Sequence, residues 1–340
     1  MSALHLALAS NVAGQAATTL LGVVEAVGGF VAILFIVFYV AGRATGRLQK
    51  PIALIICLGP ALLLVAIGLV IPAITTIINS FTNQQFLGQQ KFKYIGLKNY
   101  VYAFTDPATQ QTILRTVLWL LIVPAVSVGA GLLVALLVDR MKHPSGPKTM
   151  VFLPTAISFV GAAVIWNYVY NYKDPSLPQT GLLSQVVMAF GWRNPPNWML
   201  TSPLNTFLMM VILIWIQAGF AMVVLGAALK AIPEEVIESA RMDGASGWRL
   251  FRTIQVPMIR GTIVVVLTTV MITTLKVFDI VFTMTNGNFS TDILARRMFS
   301  DMFVTSQVGR GSALAVILFI AVIPLVFYNV RVLRREREIR

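Results

Sequence analysis

Seven stretches of this chain are apolar over at least the roughly 20 residues a helix needs to cross a bilayer. They run approximately over 19–42, 51–80, 112–138, 150–170, 204–229, 261–284 and 311–332. Each is too long for a membrane β-strand and none keeps an alternation of period two, so all are expected to be helices. Pro60, Pro72, Pro124, Pro154 and Pro324 fall inside these runs. Neighbouring helices can satisfy the backbone groups a proline frees, so these residues predict kinks rather than span ends. The expected fold is an all-α polytopic membrane protein with about seven transmembrane helices.

Charge agrees with that solvent. Only 11% of the 340 residues are charged, against roughly 25% in a soluble domain, too few to cover a water-exposed surface. The 26 Lys and Arg exceed the 13 Asp and Glu, a net charge of +13. In a soluble protein this excess would suggest nucleic acid. Here the basic residues are spread over at least four connections with no long basic domain, so the expected partner is membrane lipid and not nucleic acid. With the C-terminus on the cytoplasmic side and the N-terminus outside, 16 basic residues lie inside and 9 outside, with Lys276 within a span. The positive-inside rule favours that orientation. The outside connections, about 81–111, 171–203 and 285–310, are the longer ones. The first apolar run lacks a basic leader and a small-residue cleavage site and reads as a retained span.

Several chemistries are excluded. Cys57 is the sole cysteine, and His5 and His143 are far apart, so neither a disulfide nor a metal site is supported. The phosphate loop G-x-x-x-x-G-K-[ST] is missing; Ser145-Gly146-Pro147-Lys148-Thr149 only echoes it. This chain is therefore expected neither to hydrolyse ATP nor to bind a cofactor, and no catalytic constellation is evident.

The connection from Lys230 to Arg260 breaks the pattern. Four of the thirteen acidic residues fall between Glu234 and Asp243. Pro233 suits a first helical turn, and Glu234 and Glu235 sit near the positive helix end. Ile237, Ala240 and Met242 offer an apolar side. Gly244 can end that helix, Ser246 can cap a second, and Pro257 can close it. The local reading is a helix–turn–helix outside the bilayer.

Glu238-Ser239-Ala240, three residues, Gly244, nine residues, then Ile254-Gln255-Val256-Pro257 resembles the EAA motif of ABC importer permeases. Ser239 for Ala and Val256 for Leu are small departures. Ala231-Ile232-Pro233 and Met242-Asp243-Gly244-Ala245 are similar to the flanks in carbohydrate-importer permeases. Tyr94–Phe104 and Thr116–Trp119 resemble the maltose-type core, and Leu275–Asn288 with Val308–Val316 look most like its α-glucoside branch. The resemblance implies a six-helix permease core at 51–340, preceded by a segment 1–50 carrying an accessory helix.

What the resemblance implies about mechanism is specific. Residues 231–258 would form coupling helices that dock into an ATPase subunit, with Glu238 as charged contact, Ala240 packed closely and Gly244 as the turn. Ser239, Asp243, Ile254 and Pro257 complete the motif. The implied complex holds a second homologous permease, two ATPase subunits that use ATP and Mg, and an extracytoplasmic sugar-binding protein, all at a bacterial inner membrane.

Polar and aromatic residues inside spans mark candidate pathways. Trp215, Gln217 and Phe220 lie in the fifth span, and Thr273, Thr274, Lys276 and Asp279 in the sixth. The aromatics equally suit bundle packing, and Lys276 and Asp279 stand at the i,i+3 spacing of a helical ion pair. The alternative function is a secondary transporter driven by an ion gradient; that reading leaves the acidic hairpin unexplained.

Overall fold

The computed structural model describes residues 58–339 except 90, 91, 140 and 175, together with Gly22, Glu25, Gly28, Gly29, Val31, Ala32, Phe35 and Tyr39. Those eight are helical; the remainder of the expected span 19–42, and residues 51–57 of the second, lie outside the described residues. Residues 1–75 and 76–340 form separate units.

The described chain is helical, with one isolated bridge between Thr82 and Tyr94. In chain order the helices are α1 (Leu58–Asn79), α2 (Lys98–Thr105), α3 (Pro107–Asp139), α4 (Ser145–Phe152), α5 (Phe159–Val169), α6 (Leu182–Ala189) and α7 (Leu204–Lys230). They continue as α8 (Glu234–Met242), α9 (Gly247–Met258), α10 (Arg260–Leu275), α11 (Asp279–Met284), α12 (Leu294–Phe299) and α13 (Val308–Ile339). Four of them, α1, α3, α7 and the stretch Val308–Val332 of α13, are long and apolar enough to cross a membrane. They coincide with the second, third, fifth and seventh apolar runs.

The other two runs do not form single helices. In place of a span at 150–170, α4 continues through a tight 3-10 turn at Leu153–Ala156 and the chain then bends by 109° into α5. Ile157 is extended there, and the Ser158 hydroxyl accepts from the Gly161 amide to start α5. In place of 261–284, α10 stops at Leu275 and α11 begins at Asp279.

Lipid tails are as apolar as leucine, so helices in a membrane hold together by close contact and interhelical hydrogen bonds. The α3–α7 crossing shows the first. A Cβ added at Gly131 would lie 2.6 Å from the Ala221 Cβ and 2.7 Å from the Met222 nitrogen, so glycine lets the two backbones meet. Along the same bundle Trp119, Val123, Met209, Ile212, Leu213 and Val270 are buried in one core. The Asn329 side-chain amide supplies the second, donating to the Thr268 hydroxyl at 2.8 Å and tying α13 to α10.

At the other end of α3, Asp106 caps the helix by accepting from the Thr109 amide (2.9 Å) and hydroxyl (2.8 Å), with Pro107 first in the helix. The Thr109 hydroxyl and amide hold the Asp106 carboxyl below its ordinary range, partly opposed by desolvation. Asn99 donates to the carbonyls of Ser80 (2.9 Å) and Thr82 (2.8 Å), and the Leu294 amide donates to the Thr116 hydroxyl at 2.9 Å. These bonds fasten the connecting segments onto the bundle.

Candidate functional site

The hairpin α8–α9 projects between α7 and α10. α7 ends at Lys230, whose ammonium lies 3.6 Å from the Asp139 carboxylate at the end of α3. Both side chains are more than half exposed, so this pair contributes little energy, but it marks one level of the bundle. Pro233 is extended (ψ 138) and stands as N-cap, one place ahead of the first turn expected for it. Glu234 and Glu235 then occupy the positive first turn of α8.

α8 turns one residue inward. Ala240 is its buried residue, while Glu238, Ser239, Asp243 and Gly244 are exposed. Met242 is 89% exposed and does not join the apolar side expected of it; it is the last residue of the helix and projects outward there. The end itself is a Schellman turn: the Gly244 amide donates to the Arg241 carbonyl (3.0 Å) and the Ala245 amide to the Ala240 carbonyl (2.9 Å). Gly244 has φ +80, a conformation that disfavours any residue with a Cβ.

Ser246 precedes α9 in extended conformation but caps it without a side-chain hydrogen bond. Leu250 is buried, Ile254 half-buried, and Pro257 exposed. Trp248 is 70% exposed, its ring 5.1 Å from that of Phe251. Pro257 does not close the helix. A wide π turn at Phe251–Gln255 precedes it, relieving the clash a proline ring makes with the carbonyl four residues back. α9 runs on to Met258, and a 73° bend at the buried Ile259 leads into α10. Behind the hairpin lies a cleft of about 590 Å³ bordered by Leu136, Asp139, Leu229, Arg241, Ser246 and Gln255.

The pathway candidates separate. Gln217 is a buried residue of α7 whose amide is not itself sealed and makes no hydrogen bond among the described residues. Trp215 packs edge-on against Trp166 of α5 at 5.7 Å, and Phe220 packs on the same core. On α10 the Thr273 hydroxyl donates to the Thr269 carbonyl (3.0 Å) and the buried Thr274 hydroxyl to the Val270 carbonyl (2.8 Å). Lys276 is exposed at the C-terminal end of α10 and Asp279 starts α11. Because the helix is broken between them, their spacing of three does not stack their side chains, and no ion pair joins them among the described residues.

A charged cluster escaped the reading of the sequence. Asp292 and Asp301 are buried; Arg296 lies 3.1 Å and Arg297 4.0 Å from Asp292, and the Arg297 Nε lies 3.3 Å from Asp301. Burial pushes both carboxyls above their ordinary range, and the neighbouring arginines only partly offset it. Burial works to lower the Arg297 guanidinium, but Asp301 and Asp292 carry it above its usual value. The signal was present as opposite charges four apart at 292/296 and 297/301.

The chain matches the family of binding-protein-dependent transport system inner membrane components over residues 101–335. It belongs to that family. As a member it is a membrane permease subunit and not an enzyme. It is 48% identical over 280 residues to the alpha-glucoside transport system permease protein AglF of Rhizobium meliloti, covering 82% of each chain. It is 44% identical over 281 residues to the osmoprotective compounds uptake permease protein GgtC of Synechocystis sp., covering 83% of this chain and 99% of the relative. Among solved structures, a chain of a bacterial alginate ABC transporter, crystallised with an alginate pentasaccharide-bound periplasmic protein, superposes with a TM-score of 0.72. It covers 85% of this permease and 96% of that chain at 21% identity, a likeness of fold.

Proposed function

We propose that this permease and a second, homologous one form the pathway through which an ATP-driven importer admits a sugar, an α-glucoside or similar oligosaccharide delivered by an extracytoplasmic binding protein. The observation that carries the reading is the hairpin at 231–258. Its exposed face presents Glu238, Ser239, Asp243 and Gly244, with Met242 beside them, while Ala240, Leu250 and Ile259 turn inward. Such a face suits a cleft on one of the two separate ATPase subunits, which use ATP and Mg. Ile254 and Pro257 hold the second helix at the angle from which movement of the ATPase reaches α10. The sugar class is supported by the identity to the α-glucoside permease of Rhizobium meliloti.

In this reading residues 51–340 are the permease core, 1–50 carry an accessory helix, and the hairpin and C-terminus face the cytoplasm across a bacterial inner membrane. Trp215, Gln217, Phe220, Thr273 and Thr274 border the sugar's route. Gln217 is the best supported of them, since its amide makes no hydrogen bond among the described residues yet is not sealed from a ligand that could give and take one. Lys276 and Asp279 instead complement helix ends, a cation at the negative end of α10 and an acid at the positive start of α11.

The test is nucleotide hydrolysis and uptake in reconstituted vesicles. This chain alone should hydrolyse nothing, whereas the complex should hydrolyse faster when sugar-loaded binding protein is added outside. Uptake by the chain alone following a proton or sodium gradient would sink the proposal.

A further inference from the structure

A second concave feature lies far from the hairpin. A groove of about 500 Å³ opens between α10, α12 and α13, walled by Ile272, Leu275, Phe299, Phe319 and Val322, with Lys276 as the only charged residue of its lining. Its level in the membrane follows from helix lengths. About 20 residues cross the hydrocarbon core; counted along α3 from the Asp139–Lys230 pair, they end near Trp119. One turn further, Thr116 accepts from the Leu294 amide, which places the start of α12 at the opposite membrane surface. Ala295 of α12 and Lys276 border the groove at this level, and Ile272 and Val322 lie deeper.

The groove therefore sets an ammonium at headgroup depth above an apolar slot that descends into one leaflet. An anionic phospholipid has the complementary arrangement of charge and chain. A packed helix suits the rim less well. Helices in membranes meet through small residues, as Gly131 meets Ala221, whereas this rim carries Phe319 at 62% exposure. We propose that the groove binds one acyl chain of an anionic phospholipid, with Lys276 paired to its phosphate. Small Ala295 and Ala315 shape the slot. The groove shares α10 with Thr273 and Thr274 of the proposed sugar route but is not lined by them, and no residue of the coupling hairpin borders it.

The experiment is native mass spectrometry of the full chain, purified with its associated subunits, on adding dioleoyl phosphatidylglycerol or dioleoyl phosphatidylcholine. The permease should hold one tightly bound lipid, with about a fivefold preference for phosphatidylglycerol, the worth of one lysine beside an anionic headgroup. Lys276→Gln should keep the lipid and lose the preference, and Lys276→Glu should reverse it. Ala315→Phe, which fills the slot, should lower the number of retained lipids by one. Equal binding of the two lipids by the unaltered chain, or an unchanged preference in Lys276→Gln, would overturn the proposal. So would efficient crosslinking of a cysteine at position 319 to another subunit, since the groove would then be an interface. Should Ala315→Phe not fold, the two Lys276 variants still decide.

Discussion

The Ala245 amide donates to the Ala240 carbonyl at 2.9 Å, five residues back, and so links the buried residue of α8 to the turn that ends it. That geometry requires Gly244 at φ +80. A Cβ meets nothing at this position, so the penalty of substitution is conformational, about 1–2 kcal/mol for an alanine. Gly244→Ala should leave membrane insertion intact but lower both retention of the ATPase on purification and sugar uptake. Gly244→Asn should retain more of each, because asparagine tolerates the left-handed region. Full uptake in both variants would separate the hairpin from coupling.

Ala240 and Met242 offer opposite outcomes two residues apart. Ala240 is 8% exposed and Met242 89%. Ala240→Leu adds volume where α8 packs and should cost about 1–3 kcal/mol, seen as a lower unfolding temperature of the detergent-solubilised permease. Met242→Ala should leave that temperature unchanged yet weaken association with the ATPase. A pull-down in which Met242→Ala binds as well as the parent chain would show that this face is not the docking face.

The buried charges around α12 make a third prediction. Removing one member strands the rest: Arg297→Met leaves Asp292 and Asp301 buried with less compensation, at a cost of about 3–5 kcal/mol. The pH dependence has a definite sign. Both carboxyls lie above their ordinary values in the folded chain, so the folded state binds protons more tightly than the unfolded one. Their contribution to stability therefore increases as pH falls through the raised values toward the ordinary carboxylate range, and fades as pH rises. Asp292→Asn should flatten this part of the profile. A thermal-unfolding series across mildly acidic pH in parent and variant checks it; identical profiles would mean that Asp292 is not the titrating group.

The long helices are legible in the sequence because hydrocarbon excludes charge. The run 204–229 and α7, Leu204–Lys230, share their start and differ by one residue at a lysine. Apolarity reports the solvent but not the direction of the chain, so 150–170 read as one span although the backbone turns by 109° between α4 and α5. The break after Leu275 was hidden in the same way, and with it the reason Lys276 and Asp279 do not stack. Gly244 was legible as a turn because its requirement is local. The burial of Asp292 and Asp301 was not, since it depends on contacts as distant as that from Leu294 to Thr116.

Gln217 decides whether the α7 residues meet the cargo. The residue is 8% exposed, its amide is not sealed and bonds to nothing among the described residues, and a sugar hydroxyl could both give and take a hydrogen bond there. Gln217→Leu keeps the volume and breaks no hydrogen bond among the described residues, so the stability of the permease should change little. Uptake should nevertheless suffer: losing one hydrogen bond of about 0.5–1.5 kcal/mol raises the apparent KM by roughly two- to tenfold, with basal nucleotide hydrolysis unaltered. Trp215→Ala supplies the contrast. Its ring packs against Trp166, so its loss should lower the unfolding temperature as well as uptake. Concentration-dependent uptake in vesicles, read beside thermal unfolding, distinguishes the two. An unchanged KM in a correctly folded Gln217→Leu permease would place the sugar's route elsewhere in the bundle.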